Sequence, residues 1–393
     1  MTRPTPSHLP ESLIFISAAE PSADLHGASL IRTVRRIRPN VRFAGVAGPA
    51  MRGEGCWTIY DMCHRSAMLA AAIGAIGAAR RMWATSQAHL AEYPFQAAVL
   101  IDSPALHLPL AKRAKKLGVP VFYYIAPQVW AWGQYRVPRI RRRVDRMAVI
   151  LPFEQEYFRK RGIDATFVGH PLFEVLLDRK LDEERVREVR GRGSPVVALL
   201  PGSRRHVVEE VLPGQLEVAA AIARQYPNAT FPVSVANPAA RQAVEPLVDR
   251  AGLATALHDG ENGEILSAAD LVLAASGTAT LEVAFYHKPM IIMYNGSRWG
   301  YHLVGRWLIR TRHLSLVNIL AGREIVPEFM PYYTSTAPIA DEALRILATP
   351  ELSTRMEVDL SDMVGPLLKP GASENAARLL LDLIDRRPSR PTN

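Results

Sequence analysis

The chain has 393 residues, 48% of them hydrophobic and 22% charged, which is enough apolar material for two buried cores and excludes a disordered chain. Its formal net charge of +9 favours an anionic partner (nucleic acid, acidic lipid or a phosphorylated substrate), and charge by itself does not choose among them. Two cysteines, Cys56 and Cys63, with no CxxC pair and no histidine cluster, exclude a disulfide framework or a zinc site as the organising feature.

Residues 1–12 are polar and proline-rich and read as a flexible arm. The LIFIS run behind them is too short for the apolar region of a secretory signal. That run, at 13–17, opens a series of short β-branched segments alternating with longer amphipathic ones. VRFAGVAG (41–48), AAVLI (97–101), VPVFYYIA (119–126), MAVIL (147–151) and ATFVG (165–169) continue it. The uncharged run at 66–79 falls short of the ~20 residues that a membrane span needs. This rhythm is that of βαβ units in an open parallel sheet. A charged stretch ending in glycines, LDEERVREVRGRG, reads as a link between domains.

The rhythm then restarts with VVALLPGS (196–203), a helix over 206–225, ATFPVSVA (229–236), a helix over 238–250, LVLAAS (271–276) and KPMIIMY. The fold class is therefore α/β, with two Rossmann-like, doubly wound parallel-sheet domains and a cleft between them. The expected boundaries are 13–180 and 190–340, with helices from 341–393 packing back and a frayed tail.

Ligands of open α/β sheets bind beyond the carboxyl ends of the strands, and four such ends carry suggestive residues. In LVLAASGTATLEVAFYHKP, Gly277 permits a tight turn between Ser276 and Thr278, where backbone N–H groups suit a phosphate. The same hydroxyls serve equally as helix caps. In LLPGSRRHVVEEVLP, Gly202 and Ser203 make a second strand-to-helix turn, and Arg204 or Arg205 suits a diphosphate. In AAVLIDSPALHL, Asp102 stands where a general base would, with His107 one turn on as a second candidate; a capping aspartate beside a surface histidine fits the pattern too. In ISAAEPSADLHGASLI, Glu20, Ser22 and Asp24 supply polar groups without GxGxxG, and GxxxxGK[ST] and D-x-D are missing as well. No metal and no cofactor is expected.

Taken together, SAAEPSADLHGASLI, VAGPAMRGEGC, IDSPALH, APQVWAW with RVPRIRRRVD, LPFEQEYFRKRG, FVGHPL, LLPGSRRHVVEEVLP, ASGTATLEVA, KPMIIMY and SLVNILAGREIVPEFM resemble lipid-A-disaccharide synthase, a family of inverting GT-B glycosyltransferases. The resemblance implies transfer of a 2,3-diacylglucosamine unit from UDP to 2,3-diacylglucosamine 1-phosphate through a β-1,6 bond, with release of UDP. By motif, Asp102 matches the catalytic aspartate and Arg204 the arginine of the PGSR loop. The segment Ser276, Gly277, Thr278, Ala279, Thr280 and Glu282 matches the UDP site, and Asn318 and Arg323 lie in a stretch similar to the family's SLPNLLAGRE. The first loop departs from the family's SGExSGD, with alanines in place of both glycines, and IDSPALH departs from IDxPDFN, with His107 in place of asparagine.

The implied partners are these two acylated sugars and an anionic membrane surface, with no nucleic acid and a homodimer left open. Trp130 and Trp132 are expected to line the acceptor side. Arg139, Arg142 and Arg143 are expected to face headgroups, with Met68, Leu69, Ile73, Ile76 and Trp83 entering the acyl layer. That puts the protein in the cytoplasm, peripheral on the inner face of the inner membrane. Two alternatives stand: a GT-B relative acting on unlipidated UDP-N-acetylglucosamine, and a catalytically silent lipid- or nucleotide-binding homologue.

Overall fold

The computed structural model describes residues 12–61, 72–131, 133–296 and 313–386. The chain divides into two compact units, one of Met1–Glu174 with Leu367–Asn393 and one of Val175–Pro366.

In the first unit β1 (Ser12–Ala18) runs into α1 (Pro21–Ile37), β2 (Val41–Val46), α2 (Pro49–Gly53) and β3 (Trp57–Tyr60). Then come α3 (Ala72–Glu92), β4 (Ala97–Ile101), α4 (Pro104–Lys116) and β5 (Val121–Tyr124). α5 (Val137–Arg143), β6 (Arg146–Val149), α6 (Pro152–Arg159) and β7 (Ala165–Phe167) complete a parallel sheet ordered β3-β2-β1-β4-β5-β6-β7. β1 and β4 are buried end to end, since helices cover both faces of a parallel sheet; hence the nearly unbroken apolar runs LIFIS and AAVLI. Successive side chains take opposite faces. Phe15 joins Leu100, Tyr123 and Met82 in one core layer, while Ile14 and Ile16 join Ile31, Phe122 and Tyr124 in the other.

α7 (Pro171–Asp178) carries the chain from the first unit into the second. There follow α8 (Glu183–Gly191), β8 (Val197–Leu200), α9 (Arg205–Gln225), β9 (Phe231–Val235), α10 (Pro238–Ala251) and β10 (Thr255–Asp259). Next are α11 (Asn262–Ala268), β11 (Leu271–Ala275), α12 (Ala279–Phe285) and β12 (Met290–Met293). α13 (Leu316–Ala321), β13 (Glu328–Phe329), α14 (Ala337–Ala348) and α15 (Pro350–Val364) end the unit. Its sheet is parallel too, ordered β10-β9-β8-β11-β12-β13. The final helix, α16 (Ala372–Asp385), belongs to the first unit.

Two features differ from the sequence expectation. The stretch expected as a link is the helix α8, started by the Asp182 carboxylate, which accepts from Glu184 N–H at 3.0 Å and Arg185 N–H at 3.2 Å. Arg185 also pairs with Glu261 at 3.0 Å, so this polar helix is held in the second unit by a cap and an ion pair rather than a broad apolar face. The return to the first unit starts at Leu367 and not at 341, because α14 and α15 bury Ile339, Ala343, Ile346 and Leu360.

α16 then sets Ala376, Ala377, Leu380 and Leu381 into the core layer of Ile14 and Ile31. Its first turn is tied by Ser373, whose hydroxyl donates to Glu174 Oε2 at 2.7 Å and lies 2.8 Å from Ser29 Oγ. Its last turn is tied by Arg38, which donates twice to Asp385, at 2.9 and 2.7 Å.

Candidate functional site

A parallel sheet leaves a crevice where its strand order reverses, since the helices on either side of that point depart to opposite faces. In the first unit the reversal lies between β1 and β4, whose ends pair at Ala18 and Ile101. The loop after β1 presents Glu20 and Ser22, both exposed, and the loop after β4 presents Asp102, half-buried. Asp102 and Ser103 both take left-handed backbone conformations, with φ of 49° and 45°. The Asp102 carbonyl accepts from Tyr123 Oη at 2.6 Å and faces His107 Nδ1 at 2.7 Å. Burial pushes the Asp102 carboxyl above its ordinary range; the Ser103 N–H pulls it back, and Glu20 pushes it up again. A carboxyl shifted this way is better matched to taking a proton near neutral pH.

Several expected contacts are not carried by this geometry. Asp24 is buried, and its carboxylate accepts from Gly48 N–H and Ala50 N–H, both at 2.8 Å, and from Met51 N–H at 3.2 Å. It therefore fastens the start of α2 to α1 and has no surface toward a ligand. His107 is wholly buried, with Nε2 2.9 Å from Ser17 Oγ, and burial lowers its pKa to about 4. It is a neutral core histidine, neither a base nor a substrate contact. Trp130 is 8% exposed; its indole N–H donates to Glu154 Oε1 at 2.9 Å, and its ring meets Phe153 edge-on.

Arg139 and Arg142 are exposed on α5, as expected, whereas Arg143 is half-buried and donates to Leu108 O at 3.1 Å. Trp83 on α3 is 41% exposed. Met68, Leu69 and Trp132 lie outside the described residues, as do the side chains of Ile73 and Ile76.

In the second unit the order reverses between β8 and β11. The turns after these two strands are the PGS and SGT segments, so the topology brings both to one crevice. Gly202 and Gly277 have φ of 105° and 147°, which a side chain resists, and nothing stands within 4 Å of where a Cβ on Gly277 would be. Ser203, Arg204 and Thr278 are exposed, Ser276 and Ala279 half-buried. Asn237 Nδ2 donates to Ser203 O at 2.9 Å, fixing the PGS turn to the end of β9. The charge of Arg204 acts on the half-buried phenol of Tyr294, with Glu210 beside it. Thr280 is buried and closes its own turn, donating to Gly277 O at 2.8 Å.

Glu282 is half-buried on α12 and accepts from Asn262 Nδ2 at 3.1 Å, with Arg179 at 3.6 Å. Ser234 Oγ donates to Asn262 Oδ1 at 2.5 Å, which sets the amide's orientation. Asn318 is fully buried. Its Nδ2 donates to Val326 O and Glu328 Oε2, and its Oδ1 accepts from Ile325 N–H and Val326 N–H, which uses its whole hydrogen-bonding capacity inside the protein. Arg323 is held in a two-pronged ion pair with Asp359 at 3.0 and 2.6 Å. Neither residue is turned toward the β8–β11 crevice by these bonds.

Sequence reasoning missed Tyr123, Glu154, Asn262 and Arg179. Only Glu154 left a local signal, an acid in the first turn of a helix begun by proline. Among the described residues, no group of three or more His, Cys, Asp or Glu side chains comes together as a cation site requires.

The family model for lipid-A-disaccharide synthetase matches residues 14–382. A lipid-A-disaccharide synthase from Geobacter sulfurreducens is 35% identical over 386 residues, covering 95% of this chain and 98% of that protein. One from Syntrophus aciditrophicus is 37% identical over 381 residues, covering 95% and 98%. Among solved structures, the S. aureus MnaA–UDP co-structure aligns with a TM-score of 0.61 at 11% identity, over 96% of this chain and 99% of that one. The glycotransferase of kitacinnamycin gives 0.60 at 14% identity, over 96% and 100%. UDP-GlcNAc 2-epimerase from Neisseria meningitidis bound to UDP-GlcNAc gives 0.57 at 10% identity, over 96% and 100%. At such identities the likeness concerns the fold, which is the GT-B architecture of glycosyltransferases and epimerases.

Proposed function

The chain belongs to the lipid-A-disaccharide synthase family, glycosyltransferases of lipid A biosynthesis, and from that premise we propose that it joins a 2,3-diacylglucosamine unit carried by UDP to 2,3-diacylglucosamine 1-phosphate. Asp102 takes the proton of the acceptor's primary hydroxyl as the oxygen attacks the anomeric carbon. The bond from that carbon to the diphosphate oxygen breaks, UDP leaves with the electron pair, and the carbon is inverted into a β-1,6 linkage. The observation that carries this reading is a half-buried carboxyl, raised above its ordinary range, at the topological reversal of the first sheet.

The donor falls to the second unit; the neighbours in fold of the whole chain include proteins solved with UDP or UDP-GlcNAc. The PGS and SGT turns receive the diphosphate, with Arg204 countering the charge that grows as UDP departs. Glu282, held by Asn262, accepts the ribose hydroxyls.

Acylated sugars reside in a membrane, and the proposed setting is the inner face of the inner membrane. No helix among the described residues is long and apolar enough to cross one, while Arg139, Arg142 and Trp83 are exposed as a peripheral contact requires.

The test is UDP release with and without the acylated acceptor, for the wild type and Asp102→Asn. The amide keeps the shape but takes no proton, so transfer should fall ~10²–10⁴-fold with UDP-sugar binding preserved. A variant that keeps more than about a tenth of the activity rules Asp102 out as the base. Turnover of unlipidated UDP-N-acetylglucosamine at the same rate would instead favour a different GT-B activity.

A further inference from the structure

Backbone strain is unevenly distributed in this molecule. Among the described residues four non-glycine residues have positive φ, and three of them, Asp102, Ser103 and Ile125, follow the adjacent strands β4 and β5. Two consecutive left-handed L-residues are costly, and an isoleucine in that region is an outlier for its shape. Such conformations persist only where the surroundings over-determine them.

The surroundings here are two fully buried side chains. Tyr123, on β5, donates its hydroxyl to the Asp102 carbonyl at 2.6 Å. His107, in the first turns of α4, meets the same oxygen through Nδ1 at 2.7 Å and reaches Ser17 on β1 through Nε2 at 2.9 Å. A carbonyl oxygen only accepts, so Nδ1 must carry the proton. The ring is neutral, which leaves Nε2 as acceptor and Ser17 Oγ as donor. The Asp102 N–H meanwhile continues the ladder to Tyr124 O at 3.1 Å. The Asp102 N–H and carbonyl are thus both tied to β5, the carbonyl to α4 as well, and its side chain is what remains at the open end of the sheet.

We infer that Tyr123 and His107, braced by Ser17, are positioning residues that clamp the Asp102 carbonyl and so hold Asp102 and Ser103 in the strained turn that presents the carboxyl to the acceptor. This rests on the reading of Asp102 as the base and adds how that base is aimed. Burial keeps the Tyr123 phenol far from ionising and the His107 ring far from protonation, so the clamp does not change with pH across the neutral range. Any titration seen in turnover there belongs to another group. Tyr123 is also a different kind of residue from the family's motif positions: it lies inside the buried run VFYY, where a hydroxyl is tolerated only because it is bonded.

The experiment measures steady-state UDP release with both acylated sugars for Tyr123→Phe, His107→Leu and His107→Asn, alongside Asp102→Asn. Tyr123→Phe should lower kcat about 10–100-fold, the scale of a misplaced reacting group, with KM for the UDP-sugar changed less than about twofold. Its pH profile should keep the wild-type midpoint, since the same carboxyl still titrates.

Placing glycine at the strained neighbour, Tyr123→Phe with Ser103→Gly, should restore kcat several-fold, because glycine takes positive φ without a clasp. A merely structural loss would not respond to that change. His107→Asn keeps one N–H for the carbonyl and should retain more kcat than His107→Leu; this pair carries the test should Tyr123→Phe not fold. The inference is overturned if Tyr123→Phe and His107→Leu both turn over within about twofold of wild type, or if Ser103→Gly restores nothing. If Asp102→Asn itself stays active, the reading of the base has failed; if Asp102→Asn is inactive while the clamp variants are normal, only the clamp has.

Discussion

Asp24→Ala should loosen the first unit locally, and Cys56 supplies the reporter. The carboxylate of Asp24 accepts three backbone N–H groups at the start of α2, at 2.8, 2.8 and 3.2 Å. Hydrogen bonds to a charged group are worth ~1.5–3 kcal/mol each, but these three share one carboxylate, one is long, and removing the charge relieves its burial. A net loss of about 3 kcal/mol follows, which multiplies the open population ~150-fold at 1.4 kcal/mol per tenfold. Cys56, just beyond α2, is 2% exposed and donates its N–H to Met51 O at 3.1 Å. Burial, helped by Asp24, pushes its thiol up to about 12, so it reacts only when this region opens. In a Cys63→Ser background, the rate of labelling by an aromatic disulfide therefore reads the opening equilibrium. Asp24→Ala should label ~100-fold faster than its parent, with Asp24→Asn between them. Labelling within about threefold of the parent would refute the structural role, and a loss of substrate affinity without faster labelling would return Asp24 to the ligand site.

Stability should also depend on pH through Glu154. Burial raises this carboxyl from 4.5 to about 7; the Trp130, Leu151 and Ile150 N–H groups oppose that rise, and Asp102 adds to it. The folded value exceeds the unfolded one, so the contribution, about 3 kcal/mol, is fully present below pH ~4.5 and lost as pH rises through ~7. Denaturation at pH 5 and pH 8 should show the wild type losing ground to Glu154→Gln as pH rises; a pH-independent gap would contradict the buried-acid account. At the surface, Arg139→Glu with Arg142→Glu should weaken sedimentation with anionic vesicles by about 1 kcal/mol or more per residue at low salt, leaving UDP binding intact. Equal binding by the double variant would make these arginines a solvated face.

The strands were legible because parallel sheets bury both faces, so β1, β4, β8 and β11 appear as short apolar runs whatever their neighbours are. The turn chemistry was legible for the same local reason: Gly202, Gly277 and the polar residues after them sit within a few positions of the strand they end. What a polar side chain bonds to is not local. Asp24 and Asn318 look like ligand residues in the sequence, yet their partners lie 24–27 and 7–10 positions away and hold both side chains inside the protein. His107 reaches across ninety positions to Ser17. The helix α8 was hidden because its apolar signal is two valines, Val186 and Val189, of which only Val189 is buried, with the cap at Asp182 doing what an apolar face does elsewhere. The β3 and β13 edges, four and two residues long, are too short for any periodicity to mark.

The late return of α16 has a consequence for how the protein is made. The core layer around Ile14, Ile31 and Phe122 is closed by Ala376, Ala377, Leu380 and Leu381, and the whole of Val175–Pro366 is synthesised in between. A ribosome delivers the sheet of the first unit long before it delivers the helix that seals one face. Domains emerging in order normally fold in order; here the second unit can finish while the first still shows an uncovered apolar face to water. That interval is when a chaperone would be expected to hold the nascent chain, and when a slowed ribosome over residues 175–366 would do the most harm to the yield of folded protein.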